Sequence, residues 1–491
     1  VRGVEEARKV VWELIPYTRG KVLDIGEHYK TLPNFIGIGT DIKMDWRKLD
    51  IFKDGSCDAV FSSFLINLIY PSELLPILKE WWRVIKRGGY LILYLPNGKD
   101  ADDKWEVSKG SVLEVMGGID GWDLVDFQCR TSDGENGLFF VFQKTERGHE
   151  ESHQKPLPEK KAAVVRYGAQ GDMIQASSIF PGLKEQGYHL TLYCQSGLGY
   201  EVVKHDPHVD RFVVQDRDLV PPQFLQEYWD YTRKKYDKWV NLSGSVEGML
   251  LAGPESPSWH WPNELRAKMM DRNYIEFTHE IAGVPPPYRP MFYATPKEKE
   301  KAKLQARQWG RKSVLWSLAG SSGHKVWPFV DVVIRRILDA YPDVHVVLVG
   351  DETCQILEVG WEEEKRVHRR SGVWSIRESM AFAEVADLII GTETGLLNAA
   401  GFLDTPKVIN LSHSSEEMLT KHWKNVIPIR QEMEGCPKQP CRQLHGGGGT
   451  DAWLDCPKHE GEGVALCQYF ISPEQVWQAV VSVLGQARKA A

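Results

Sequence analysis

AAVVRYGAQGDMIQASSIFP, residues 162–181, reads as a buried strand, a glycine-containing turn and the opening of a helix. The run from Ala162 to Val165 is apolar without interruption, as in a strand covered on both faces. Gly168 and Gly171 permit a tight turn and close approach of a ligand to the backbone. Asp172 stands where the helix begins. A carboxylate there caps amides and meets the positive end of the helix dipole, so capping accounts for it as readily as chemistry does. Two later stretches have the same form. SLAGSSGHKVWP, residues 317–328, is a strand end, a loop of small residues and a helix expected from near Trp327. ADLIIGTETGLLNAAGFLDTP, residues 386–406, places Thr392, Glu393, Thr394 and Gly395 between a buried strand and a helix.

Outward from these turns, the chain alternates β-branched runs with amphipathic helices, the pattern of parallel sheets with crossover helices. Three blocks emerge. The first contains KVLDIG, FIGIG, DAVFSSF, the helix SELLPILKEWWRVIK and YLILYLP. The second runs from AAVVRYG through a helix over 173–186 to HLTLYCQ, FVVQD and KWVNLS. The third joins SVLWSLAG, the helix WPFVDVVIRRILDAYP, VHVVLVG, DLIIGT and KVINLS. A polar, charged seam from Thr145 to Lys161 and a proline-rich one from Val284 to Lys301 divide them. The expected boundaries are 1–144, a linker at 145–160, lobes at 161–300 and 301–430, a cysteine-rich segment at 431–470 and a helix at 471–491. In that last helix Ser472 is the expected N-cap, Pro473 lies in the first turn, and Gln475 is the capping-box partner.

Ligands of such sheets sit beyond the carboxyl ends of the strands. Ser321, Ser322 and the amides of Gly320 and Gly323 are placed to bind a diphosphate, with the charge of Lys325 beside them. KWVNLSGSVE ends another strand, which makes Asn241, Ser243 and Glu247 candidate acceptor contacts and Glu247 the second candidate base. The bland alternative for Glu247 is a cap or a solvent-facing position on the next helix.

Together these motifs resemble the ADP-heptose:lipopolysaccharide heptosyltransferases. The matches are Gln170–Gly171–Asp172, then Lys325–Val326–Trp327–Pro328, then Glu393–Thr394–Gly395, in that order. The resemblance implies an α/β GT-B fold of two Rossmann-like lobes. It implies inverting sugar transfer from a nucleotide-diphosphate sugar with no catalytic divalent metal. Asp172 would be the general base, and Lys325 with Ser321 and Ser322 would neutralise the departing diphosphate. Glu393 would hold sugar hydroxyls, and the amides of Thr394, Gly395 and Leu396 would hold phosphate. Trp327 belongs to the donor signature, and Asp351, Trp374 and Ile376 fall where base and ribose contacts are expected. The family often has Asp at the position of Glu393 and His at that of Asn398, which leaves the sugar open.

In the first block, VLDIG, Asp41, DGSCDAVFSS and RVIKRGGYLILYLPN resemble class I S-adenosylmethionine-dependent methyltransferases. The resemblance implies cofactor contacts at Asp24, Gly26 and Asp41, the last to the ribose. Gly26 is followed by Glu27, His28 and Tyr29, so two glycines of the family's turn are absent and side chains crowd the methionine end. The expected outcome is a module that kept its fold and lost its chemistry. A working methyltransferase with a partial glycine pattern is the alternative.

Cys436, Cys441, Cys456 and Cys467 crowd the tail. Four thiolates on glycine-rich loops suit structural zinc or iron, while irregular spacing leaves free thiols or disulfides open. His445 and His459 are alternative ligands. A similar four-cysteine finger occurs in autotransporter heptosyltransferases, which resemble this family; such a site is expected to lie far from the chemistry. With 60 basic and 67 acidic residues the net charge is -7, which gives no global attraction to nucleic acid or anionic membrane. No apolar run has the length of a membrane span, and the first residues lack the apolar stretch of a signal peptide, so a cytoplasmic protein is expected. The acceptor stays open among a glycan, a protein and a modified DNA base. Two rival readings remain: a methyltransferase with a sugar-binding C-terminal half, and a scaffold without chemistry.

Overall fold

The computed structural model describes residues 10–485 apart from 27–30, 33, 40, 99–103, 106, 131–136, 146–159, 217–218, 310–311, 432–434, 446–455 and 462. Glu27, His28 and Tyr29, and nearly all of the expected linker, lie outside the described residues. The chain divides into two compact units, Val1–Lys161 with Val213–Asp237, and Ala162–Phe212 with Lys238–Ala491. No helix among the described residues is long and apolar enough to cross a membrane.

The first unit is built on β1 (Val22–Ile25), β2 (Ile36–Ile38), β3 (Cys57–Ser63), β4 (Ile85–Pro96), β5 (Trp122–Arg130) and β6 (Gly137–Lys144), in the order β2-β1-β3-β4-β6-β5. The first four strands run parallel, and β6 pairs antiparallel with both β4 and β5. Both faces are covered, which is why Ala59–Phe61 of β3 and Leu91–Leu95 of β4 are apolar without interruption. Val60, Leu91 and Leu93 enter one core with Leu74, Leu78 and Trp81 of the helix Pro71–Val84. Their neighbours Phe61, Ile92 and Tyr94 enter the opposite core with Val10 and Leu14. Successive side chains on a strand point to opposite faces, so two cores share one sheet.

An ionic cluster explains why residues 213–237 belong to this unit. Glu13 is buried and ion-paired with Arg130 at 2.9 Å. It also binds Lys235 and accepts from the Tyr231 hydroxyl. Burial raises the Glu13 carboxyl, and Lys235 with the hydrogen bonds from Tyr231 and Gln128 together outweighs burial, so its net shift is downward.

In the second block of the sequence, β7 (Lys161–Arg166), β8 (His189–Gln195), β9 (Arg211–Gln215) and β10 (Lys238–Asn241) take the order β10-β7-β8-β9. The third sheet holds β11 (Lys312–Ser317), β12 (Val344–Val349), β13 (Val367–Arg369), β14 (Leu388–Thr392), β15 (Lys407–Asn410) and β16 (Val426–Ile429). Its order is β13-β12-β11-β14-β15-β16, and every neighbouring pair is parallel. This is a doubly wound sheet whose direction of winding reverses between β11 and β14. The loops leaving those two strands therefore flank a crevice, and they are the loops carrying Lys325 and Glu393. The second sheet reverses in the same way between β7 and β10, whose loops carry Asp172 and Glu247.

Two local expectations change. The helix expected over 173–186 is two helices, Gln170–Ser177 and Phe180–Glu185. Pro181 lacks an amide hydrogen and so starts a new helix rather than continuing the old one. The helix expected from Trp327 begins at Val330. The last helix, Pro473–Leu484, has the capping box read from sequence, with the Ser472 hydroxyl accepting from the Gln475 amide at 3.2 Å. Its Val476, Val480 and Leu484 join the core of the third sheet.

Candidate functional site

Arg166, at the end of β7, organises the first part of the site. Its side chain is 2% exposed, and its Nη2 lies 3.1 Å from Asp172 Oδ1 and 3.1 Å from Glu247 Oε1. Nη1 donates to the Leu242 carbonyl at 2.8 Å. Burial opposes the guanidinium charge, and the carboxylates of Asp172 and Glu247 outweigh it. Both candidate bases are thus held by one cation that the sequence reading missed. A lone arginine at a strand end carries no motif; only its position one turn before Gly-Asp could have raised it.

Asp172 serves as a cap and as a cleft residue at once. Its Oδ2 accepts from the Ala169 amide at 3.0 Å, while the side chain stays 24% exposed. Burial raises its carboxyl above the ordinary range, and Glu247 adds to this; Arg166 and Lys325 oppose it without cancelling it. A carboxylate made more basic than usual is the better proton acceptor. Glu247 is not on a helix. It lies in the turn after β10, with its side chain 41% exposed. Asn241 and Ser243 brace that turn: the Asn241 side chain accepts from the Ser243 amide, and the Ser243 hydroxyl from the Tyr167 amide, each at 3.0 Å.

The three glycine-containing turns come together. A Cβ on Gly395 would stand 2.9 Å from the Gln170 Cβ and 3.2 Å from the Gly171 nitrogen, so the third turn rests on the backbone of the first. A Cβ on Gly320 would stand 3.2 Å from the Glu393 carbonyl oxygen and 2.5 Å from the Lys325 Cδ. Only glycine leaves room for these approaches. Asn398 stitches the same junction, accepting from Gln175 Nε2 at 3.1 Å and donating to the Thr394 carbonyl at 3.0 Å. The Thr394 hydroxyl caps the short helix Gly395–Ala400 and meets the Ser317 hydroxyl at 3.1 Å. Leu396 is buried beneath this turn. Lys325 is half-buried, and its charge acts on the carboxylates of both Asp172 and Glu393. Ser321 is exposed and Ser322 half-buried on the loop beside it.

The structure places several predicted contacts differently. Glu393 does not present its carboxylate to the cleft. It is buried, with Oε1 accepting from the Ser412 and Ser414 amides at 2.7 and 3.2 Å and Oε2 3.0 Å from His413 Nδ1. Burial alone would raise this carboxyl; His413, Lys325 and the Ser412 amide outweigh burial and hold it at about 2. The length of a glutamate carries its charge past the cleft into the loop after β15. Trp327 is 1% exposed and lies in the core, donating from Nε1 to the Ile471 carbonyl at 2.9 Å. Trp327→Ala is therefore expected to cost about 3–5 kcal/mol of stability, read as a fall in melting temperature. A melting temperature within a degree of the parent would refute that placement.

Asp351 caps the 3-10 helix Glu352–Glu358 through its bond to the Cys354 amide at 3.1 Å. Trp374 is buried against Trp309 and Phe382, and Ile376 opens the next helix. Tyr274, unnoticed in sequence, is buried in the field of Glu393, Asp172 and Glu247, and its hydroxyl lies 3.1 Å from the Ser414 hydroxyl.

The four tail cysteines line one cavity together with His324 and His413. All four are buried and none is in a disulfide. Burial pushes their thiols up, Cys456 to about 11 and Cys441 to about 12. Among the described residues, no three His, Cys, Asp or Glu side chains stand close enough to hold a metal ion as placed. His459 stacks on Tyr469 at 3.9 Å. The cavity adjoins the loop that carries Lys325, since His324, the residue before it, lines the cavity.

In the first unit, Asp24 accepts from the Thr31 amide at 2.7 Å, and burial raises its carboxyl to about 6. Among the described residues nothing lies within 4 Å of a Cβ placed on Gly26. Asp41 accepts from the Gly37 amide at 3.0 Å, within its own turn.

A methyltransferase-domain family profile matches residues 27–93. No curated protein matches the sequence. Among solved structures, a glycosyl transferase family 9 protein from Veillonella parvula is 16% identical, covering 68% of this chain and 99% of its own, with a TM-score of 0.47. Escherichia coli ADP-heptose lipopolysaccharide heptosyltransferase II is 15% identical over 66% of this chain and 98% of its own, with a TM-score of 0.43. The dodecameric iron-containing heptosyltransferase TibC, solved with ADP-D-beta-D-heptose, is 13% identical over 71% and 85%, with a TM-score of 0.41. TibC comes from enterotoxigenic E. coli.

Proposed function

We propose that residues 161–491 form an inverting glycosyltransferase that moves a sugar from a nucleoside-diphosphate donor to an acceptor hydroxyl. The observation that carries this reading is the meeting of three turns at two topological switch points. One supplies a carboxylate of raised basicity, Asp172, and another the cation Lys325 with its small-residue loop. Asp172 takes the proton of the acceptor hydroxyl as that oxygen attacks the anomeric carbon from the face opposite the leaving group. Lys325, Ser321, Ser322 and the amides of the Thr394–Leu396 turn take up the charge that grows on the departing diphosphate. One base and one fixed cation suffice for direct displacement, without a catalytic divalent metal. Asn241 and Ser243 shape the acceptor side of the cleft, and Arg166 keeps Asp172 and Glu247 in place. A donor of the ADP-heptose kind and an acceptor that is a glycan, a protein or a modified DNA base complete the proposal.

Incubation with a panel of nucleotide sugars should release free nucleoside diphosphate in the parent and not in Asp172→Asn. Release that is equal in both, or absent with every donor while no nucleoside diphosphate binds, would sink the reading. For residues 1–144 we propose a fold kept without methyl transfer; heat on titration with S-adenosylmethionine would overturn this. For the tail we propose a structural metal. Four thiols on one cavity are the right donor set for zinc or iron, and they must close on a common point to hold it. Elemental analysis should find about one such ion per chain, lost in Cys441→Ser.

A further inference from the structure

A line of polar groups, buried up to the half-buried Ser322, joins the thiol cavity to the loop that carries Lys325. Glu393 Oε2 lies 3.0 Å from His413 Nδ1. His413 Nδ1 lies 2.8 Å from His324 Nε2, and His324 Nδ1 lies 2.5 Å from the Ser322 hydroxyl. On the cavity side, His445 presents its ring edge-on to His324 at 5.4 Å, and its Nε2 lies 3.5 Å from Cys441 Sγ. His324 and His413 both line the cavity that holds the four cysteines. His324 is thus shared. It is a wall of the thiol cavity, and through its two ring nitrogens it fixes Ser322 on one side and His413 on the other. Ser322 and Lys325 are its near neighbours in the loop assigned to the diphosphate.

We propose that His324 is a positioning residue that couples the four-cysteine cavity to nucleoside-diphosphate binding. This rests on the donor site described under the proposed function. A buried imidazole held at both nitrogens cannot turn without losing one of its hydrogen bonds, and a close-packed interior offers it few alternative positions. When the cysteine loops open, the wall that backs His324 goes, and Ser322 and Lys325 lose their fixed placement. The coupling is reciprocal by thermodynamic necessity. Whatever the cavity's state does to nucleotide affinity, nucleotide does to the stability of the cavity.

The test uses the full chain with ADP, UDP and GDP as probes and a thiol reagent, 5,5′-dithiobis(2-nitrobenzoate), followed by peptide mass spectrometry. Exposed Cys129 serves as the internal standard for reagent access. In the parent, saturating nucleotide should slow labelling of Cys436, Cys441, Cys456 and Cys467 by about tenfold, and prior labelling should weaken nucleotide binding. In His324→Ala both effects should vanish and nucleotide affinity should fall about tenfold. His324→Asn, which can keep the bond to Ser322 but not that to His413, should bind nucleotide well and lose the protection. If the alanine variant does not fold, the asparagine variant alone decides. Protection that persists in a folded His324 variant overturns the proposal, as does a parent that binds nucleotide with no effect on labelling. A parent that binds none of the three nucleotides overturns the donor site itself, and this inference with it.

Discussion

Asp172→Asn should lower kcat by about a thousandfold, within the 10²–10⁴ range that general-base catalysis supplies, while leaving the affinity for nucleoside diphosphate nearly unchanged. Asparagine keeps the size of the side chain and can still accept from the Ala169 amide through its oxygen, so the helix start survives. It cannot take a proton. The pH profile gives a second readout. Because burial and Glu247 raise the Asp172 carboxyl, the base is ionised only above its raised value. The acid limb of kcat/KM in the parent should therefore fall at higher pH than an ordinary carboxylate would give, and rate should rise with pH through it. A variant with parental kcat, or a parent whose acid limb sits at the normal aspartate value, would remove Asp172 from the role of base.

Arg166→Met should destabilise the site around Asp172 and Glu247. It removes the guanidinium that pairs with both Asp172 and Glu247 and leaves the Leu242 carbonyl without that donor. Breaking a buried pair from one side costs roughly 3–5 kcal/mol. Glu247 is 41% exposed, and solvent screening reduces its share, so about 3 kcal/mol is expected. The pH dependence follows from linkage. Without the guanidinium the Asp172 carboxyl rises further. A carboxyl whose folded value lies above its unfolded value destabilises the fold where it is ionised, and the penalty fades as falling pH protonates it. The deficit should thus be largest where the carboxyl is ionised and shrink as pH falls. Adding Glu247→Gln to Arg166→Met should restore part of the stability. A deficit that does not change with pH, or a double variant no better than the single, would show that Arg166 acts by packing alone. In the same variant the acid limb of any remaining activity should move to higher pH.

The parallel sheets were legible because their strands are covered on both faces. Val22–Ile25, Leu388–Thr392 and Lys407–Asn410 are buried along their whole length, and their aliphatic pairs Val22–Leu23, Ile389–Ile390 and Val408–Ile409 mark them between turns. The caps were legible for a similar reason. Ser472 and Gln475 satisfy each other's neighbouring amides within one helical turn, so nothing distant is needed to read them. Trp327 shows the limit of a motif. Its place beside Lys325 says nothing about which way the indole points, and the core between β11 and the last helix takes it. Glu393 shows the same limit for charge: one methylene more than aspartate lets the carboxylate reach Ser412 and Ser414.

Local chemistry therefore carried the strand ends, the glycine turns and the placement of Asp172, Lys325 and Glu393 beyond buried strands. Those features depend on neighbours within a few residues, and the chain records them directly. Partners remote in sequence came only from folding. Arg166 meets Glu247 from 81 residues away, Gln175 meets Asn398 across 223, and His324 reaches His413 across 89. No periodicity marks such pairs, because each is set by how two sheets and their loops pack. That packing also turned the cysteine tail from a distant appendage into a wall of the loop that holds Lys325.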